Sequence, residues 1–266
     1  MIRLVISNQR GGVAKTTTTA TLARFFADSG RRVLVVDTYP QGSLGLVLGL
    51  NPRKYLYQLV VDNQALENCA VSAGPNLDVI CSNRDTTKAE VALLGMAGGE
   101  LSFVHLFGPV EDRYDVVLID VAPSISLIQT CAILYARQLL IPVAIDMLSL
   151  QGAVACLQTA RMLAEAFGPE EIRPVALLPT LVDRRYSLTG FVLTALEEMS
   201  EKYRVPLLHP IRTDAAAPKA QRAKKFLIDY DPRSRAQEDY NAAARELMEL
   251  VHANESAGYA AAAASA

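Results

Sequence analysis

Short apolar runs recur along the chain, and each has the length of a strand rather than of a helix. The runs are Ile2-Arg3-Leu4-Val5-Ile6, Val33-Leu34-Val35-Val36, Leu77-Asp78-Val79-Ile80-Cys81, residues 114–120, 138–143 and 174–179, and Pro206-Leu207-Leu208. Between them apolar residues return at helical spacing. Ala20, Leu22, Ala23, Phe26 and Ala27 do so after the first run, and residues 149–167 and 189–203 do so later. Strands that are apolar throughout, rather than at alternate positions, belong to a sheet covered on both faces. Strands alternating with helices predict an α/β chain: one doubly wound, mostly parallel sheet with helices on both faces. Residues 44–75 are less regular and read as helices and loops over the active edge; residues 86–107 read as one or two helices around Gly98-Gly99. Residues 236–252 form an amphipathic helix, with Tyr240, Ala244, Leu247 and Val251 on one side and Glu238, Asp239, Glu246 and Glu249 on the other. A helix lying on a membrane surface favours Lys and Arg on its polar side, so this one is predicted to pack on the sheet. No Pro/Ser linker and no repeat divides the chain, which predicts one domain over 1–254 and a disordered, alanine-rich tail over 255–266.

Candidate chemistry is concentrated after the first run. Asn8-Gln9-Arg10-Gly11-Gly12-Val13-Ala14-Lys15-Thr16-Thr17-Thr18-Thr19 is a glycine turn between a strand and a helix that opens on Lys-Thr. That is the arrangement of a phosphate-binding loop, and it makes the fold P-loop NTPase-like. Gly11 and Gly12 let the backbone curl so that several N–H groups face one anion, and the helix start adds its unpaired N–H groups. Gly11, Gly12, Val13, Ala14, Lys15, Thr16 and Thr17 are therefore the candidate nucleotide-binding set. Lys15 supplies a mobile charge for β- and γ-phosphates, and the Thr16 hydroxyl is placed to ligate Mg²⁺. The usual pattern has glycine directly before the lysine, where this chain has Ala14.

Two other runs end in a carboxylate: the second in Asp37 and the run over 114–120 in Asp120. A strand-end aspartate lies at the edge where α/β sheets bind ligands, and either could hold Mg²⁺ through water. Taken alone, each is equally an aspartate that caps a turn.

Composition narrows the classes. The chain has 266 residues, a formal net charge of −2, 51% hydrophobic residues and no tryptophan, so overall charge points to no nucleic-acid partner and any basic surface is local. Arg212, Lys219, Arg222, Lys224 and Lys225 supply one such stretch, and Arg184 and Arg185 lie in an earlier turn. The stretch reads either as a solvated helix face or as a surface that tracks phosphates. Cys69, Cys81, Cys131 and Cys156 form no CxxC, which predicts free thiols in a reducing compartment and no zinc or cluster site. The first residues enter a strand directly, so no signal peptide is expected, and no apolar run is long enough to span a bilayer.

Taken together, 8–18, Asp37-Thr38-Tyr39-Pro40-Gln41-Gly42, 114–124 and Tyr230-Asp231-Pro232-Arg233-Ser234-Arg235 resemble the ParA family, the ParA/MinD group of deviant phosphate-loop ATPases that position plasmids, chromosomes and other cargo. The likeness runs from Met1 to about Asn254. It implies ATP and Mg²⁺ as cofactors and a homodimer that closes face to face around two nucleotides. It also implies non-specific DNA binding, a cargo-adaptor or centromere-binding partner that stimulates hydrolysis, and a cytoplasmic, nucleoid-associated location without a membrane partner.

The resemblance assigns Lys15, Arg10, Asp37 and Tyr39 to catalysis. Thr16, Asp37 and Asp120 go to the metal; Asp146, Pro210 and Arg212 join the nucleotide set. Asp146 is placed at the dimer face or the ribose, and Ile211-Arg212-Thr213-Asp214 matches the family's adenine-side loop. Arg184, Lys219, Arg222, Lys224 and Lys225 are the candidate DNA contacts, since Ala216 stands where the family has a contacting arginine. Arg10 stands at the family's signature lysine, which reaches the other subunit's phosphates; an arginine keeps that charge in planar form. Tyr39 replaces the second aspartate of Asp-x-Asp-Pro-Gln-Gly, which helps position the attacking water. A phenol with an ordinary pKa of about 10 is no carboxylate at neutral pH, so slow, partner-dependent hydrolysis is expected. A nucleotide-gated switch with little catalysis and a MinD-like membrane-cycling ATPase are the alternatives.

Overall fold

The apolar runs become strands β1 (Ile2–Ile6), β2 (Val33–Asp37), β4 (Leu77–Ile80), β5 (Val116–Asp120), β6 (Gln138–Ala144) and β7 (Arg173–Thr180), joined by a further strand, β3 (Ala70–Gly74). The structure, a computed structural model, describes residues 1–168 and 172–264; for residues 110 and 252–264 it describes the backbone alone. The strands hydrogen-bond in the order β3-β4-β2-β5-β1-β6-β7, all parallel except the antiparallel β3–β4 pair. The helices are α1 (Lys15–Asp28), α2 (Ser43–Leu48), α3 (Leu56–Val60), α4 (Leu66–Cys69), α5 (Thr86–Leu94), α6 (Ser102–Phe107), α7 (Leu127–Ala136), α8 (Met147–Phe167), α9 (Ser187–Tyr203), α10 (Ala216–Arg222), α11 (Leu227–Tyr230) and α12 (Arg235–Ala264).

Alternate residues of each central strand feed opposite faces. Ile2, Leu4 and Ile6, Val33 and Val35, and Val116 and Leu118 pack with Phe26 of α1 and Leu247 of α12. Val5, Leu34, Val36, Val117 and Ile119 pack with Phe103, Phe107, Tyr135 and Leu157 on the other face. Both faces being covered is why the strands read as continuous apolar runs. From β1 the chain crosses to β2 on one side, while β5 leads across β1 to β6 on the other. The crevice at the carboxyl ends of β1 and β5 is therefore the topological switch point at which such sheets bind ligands.

Two expectations need correction. The 44–75 stretch contains β3, an edge strand of small residues (Ala70-Val71-Ser72-Ala73-Gly74) with one bulky apolar side chain, too few to read as a buried run. Pro206-Leu207-Leu208 is no full strand: Leu207 makes one isolated bridge to Leu177. Pro206 and Pro210 flank the segment without N–H groups, so no continuous ladder is available to it. The backbone of α12 is described through Ala264.

Leu247 is fully buried under the sheet. Leu247→Ala is expected to lower unfolding free energy by about 2–5 kcal/mol, the range for large-to-small core changes. Urea denaturation checks this; a loss well under 1 kcal/mol would mean that α12 is not part of the core.

Candidate functional site

The phosphate loop is held by side chains from distant parts of the chain. Asn8 is fully buried at the end of β1. Its Nδ2 donates to the Pro142 carbonyl at 2.8 Å and to the Ser149 carbonyl at 3.2 Å, while its Oδ1 accepts from the Arg10 N–H at 2.9 Å. On the opposite side, the Thr180 hydroxyl donates to the Val13 carbonyl at 3.2 Å. The Lys15 ammonium lies across the loop and donates to the Asn8 carbonyl at 3.0 Å and the Arg10 carbonyl at 2.8 Å. Burial pulls the Lys15 pKa below its ordinary value, opposed by the nearby Asp120. Gly12 has φ +80°, and Ala14, which immediately precedes α1, has φ +62°. Ala14 thus adopts the left-handed conformation that favours glycine, which is the physical meaning of the glycine the usual pattern carries there.

Asp37 and Asp120 are side by side, as partners in register at the ends of β2 and β5. The Thr16 hydroxyl donates to Asp120 Oδ2 at 2.7 Å, and the Thr19 hydroxyl reaches Oδ1 at 3.4 Å. Asp37 accepts from the Tyr39 N–H at 2.9 Å and the Leu44 N–H at 3.0 Å. Burial raises both carboxyl pKa values, and the negative charge of Asp120 raises that of Asp37 further. Two enclosed carboxylates with a threonine hydroxyl form an oxygen-only donor set, which fits Mg²⁺. Among the described residues no cluster of three or more His, Cys, Asp or Glu could hold a metal by itself.

Beside the loop lies a cavity of about 360 Å³, lined on one side by Gly12, Ala14 and Thr17 and on the other by Arg212, Asp214 and Tyr240. Its size and position suit a nucleotide's base and ribose. Arg212 is not free within it: the guanidinium pairs with Asp239, Nη2 to Oδ1 at 2.7 Å and Nε to Oδ2 at 2.8 Å. Pro210 is half-buried and stands outside the lining.

Other candidates fall in different places. Arg10 is exposed. Tyr39 is half-buried, and its N–H is the group that reaches Asp37. Gly42, closing the same motif, has φ +62°, and a Cβ there would come within 2.6 Å of the Ser82 carbonyl, so the turn requires glycine. Asp146 caps α8, accepting from the Ser149 N–H at 2.8 Å and hydroxyl at 2.6 Å. Lys219 and Arg222 project from α10 into solvent, and Lys224 and Lys225 are exposed in the turn after it. Arg184 is exposed on the separate loop after β7, so the structure does not show it gathered with them. Sequence reasoning missed Ser149, Gly152, Thr180, Gln221 and Asp239. Gln221 donates to the Thr17 hydroxyl at 2.8 Å, tying α10 to α1. These partners lie far away in the chain, and no local pattern marks them.

A family model described as an AAA domain matches residues 1–170. The sporulation initiation inhibitor protein Soj of Bacillus subtilis is 30% identical, over 92% of this chain and 97% of that protein. The chromosome partitioning protein ParA of Myxococcus xanthus is 29% identical, over 92% of this chain and 87% of its own. Among solved structures, cobyrinic acid a,c-diamide synthase from Mycobacterium smegmatis with bound ADP and magnesium is similar, with a TM-score of 0.79 and 27% identity over 93% of this chain and 94% of that one.

Ala14→Gly removes left-handed strain at the cost of a more flexible unfolded chain. The balance is expected to favour the variant by roughly 0.5–1 kcal/mol, read as a higher denaturation midpoint. A lower midpoint would show that the methyl group makes contacts worth more than the strain.

Proposed function

The chain belongs to the AAA domain family and, within it, to the ParA group, and we propose that it is a ParA-like ATPase that binds MgATP, dimerises on it, binds DNA without sequence preference and positions plasmid, chromosome or protein cargo. The observation that carries this reading is the pairing of Thr16 with Asp120, beside Asp37, directly under the Lys15 loop. No other part of the described chain brings a lysine, a threonine hydroxyl and two strand-end carboxylates together at the sheet's switch point.

The residues divide the work as follows. The loop N–H groups and Lys15 receive the phosphates, with Lys15 exchanging the carbonyls of Asn8 and Arg10 for phosphate oxygens. Thr16, Asp120 and Asp37 hold Mg²⁺, directly or through water; the ion neutralises charge on the terminal phosphates. The cavity beside Thr17 takes the base. Arg10, exposed at the lip of the loop, is free to reach the phosphates of a second subunit. Asp146 keeps a place near the ribose or the dimer face only if it serves there while capping α8. A partner protein of the adaptor class is assigned to stimulate hydrolysis, and the location is cytoplasmic and nucleoid-associated. No described helix is long and apolar enough to cross a membrane.

A second reading is supported by one residue. Tyr39 stands where the family has a carboxylate, so the chain could act as a nucleotide-gated switch with little turnover. Tyr39→Asp is expected to raise single-turnover ATP cleavage at least roughly tenfold, as a restored water-orienting base would. An unchanged rate would show that Tyr39 is no handicap.

DNA binding is tested with Lys224→Ala plus Lys225→Ala. If both contact phosphates, the log–log salt slope of ATP-dependent DNA binding should fall by roughly 0.9 for each lost charge. An intact slope removes this surface from the DNA interface.

A further inference from the structure

We propose that Asn8 is a positioning residue for the phosphate loop, holding it against the start of α8, and that Gly152 is the gap in α8 that allows the contact; this rests on the nucleotide-binding reading above.

The Asn8 carboxamide is enclosed and uses both ends. Nδ2 serves the Pro142 and Ser149 carbonyls, from β6 and α8, while Oδ1 takes the Arg10 N–H. Ser149 is in turn fixed by Asp146, through its N–H and its hydroxyl. The backbone of the signature arginine is thus linked through Asn8 and Ser149 to the cap of a 21-residue helix. Breaking this link leaves buried donors or acceptors unpaired, which the interior penalises. Lys15 donates to the carbonyl of Asn8 itself and to that of Arg10, whose N–H the Asn8 side chain holds. One buried amide therefore sets where both candidate phosphate-binding cations start.

Gly152 lies in the next part of α8. A Cβ there would be 2.1 Å from Asn8 Oδ1, 3.0 Å from the Arg10 nitrogen and 3.2 Å from Arg10 Cβ. Asn8 cannot swing away, because Pro142 and Ser149 hold its other end, and the Arg10 nitrogen is backbone. A glycine in a helix interior is less favourable than alanine. Here the loop lies directly against the helix backbone, and that close approach accounts for it. By contrast, Gly190 in α9 has nothing within 4 Å of its would-be Cβ.

The test compares the parent chain with Gly152→Ala, Asn8→Asp, the double variant and Gly190→Ala as control. Asn8→Asp keeps the volume and the acceptor for Arg10 but turns the donor to Pro142 and Ser149 into a carboxylate oxygen. Thermal melting, amide hydrogen exchange across residues 10–14, fluorescent-ATP titration and single-turnover hydrolysis are read on each. Gly152→Ala is expected to exchange its loop amides faster, bind MgATP about tenfold more weakly and cleave it on the order of 10²-fold more slowly, the scale of an ångström-sized misplacement. Its melting temperature should stay near the parent's, since helix propensity offsets the crowding. The double variant should be no worse than Asn8→Asp alone, and Gly190→Ala should match the parent in loop exchange, binding and turnover while melting somewhat higher. Parent-like loop exchange and turnover in Gly152→Ala, or losses that multiply in the double variant, overturn the proposal. If Gly152→Ala does not fold, Asn8→Asp decides on the same readouts. If the parent itself binds no MgATP, the nucleotide reading falls, while loop exchange still decides the positioning claim.

Discussion

Two carboxylates, Asp37 and Asp120, end adjacent strands in register and are almost wholly buried. Burial disfavours the charged form of both, and the charge of Asp120 adds to the effect on Asp37, so both hold protons more tightly than usual. The surroundings partly compensate. Thr16 and Thr19 donate to Asp120, backbone N–H groups donate to Asp37, and the Lys15 ammonium lies near. Two carboxylates and a threonine hydroxyl beside the loop form a donor set that suits a divalent cation with bound phosphates.

The loop facing those carboxylates is built from outside itself. Asn8 reaches β6 and α8, Val13 is held by Thr180 at the end of β7, and Thr17 is held by Gln221 from α10. Thr18 meets Tyr240 of α12 at 3.0 Å. The first turn of α1 is therefore contacted by elements from the last third of the chain, including the one that carries Lys219 and Arg222. The loop and the helix that carries those two cations are thereby joined by the Gln221–Thr17 hydrogen bond.

Much of this was legible in the sequence, for identifiable reasons. The central strands are buried on both faces and so read as unbroken apolar runs, and the Gly-Gly-x-x-Lys-Thr spacing sits between a strand and a helix. The edge strand over Ala70–Gly74 was not legible, because an edge needs little apolar content. Pro206-Leu207-Leu208 looked like a strand because its prolines interrupt the ladder without changing its hydrophobicity. Asp146 caps its helix, a local role that stands beside the dimer-face or ribose role the resemblance implies. Gly152, Thr180 and Asp239 act through neighbours more than twenty residues away in sequence, and only the folded chain reveals them.

The most direct measurement is calorimetric titration of the folded chain with ATP, with and without Mg²⁺. The account predicts one nucleotide per chain, tighter with magnesium, and a magnesium effect that disappears when Asp120 and Thr16 are both replaced by alanine. No heat of binding with a chain shown to be folded, or a magnesium effect that survives those replacements, would contradict it.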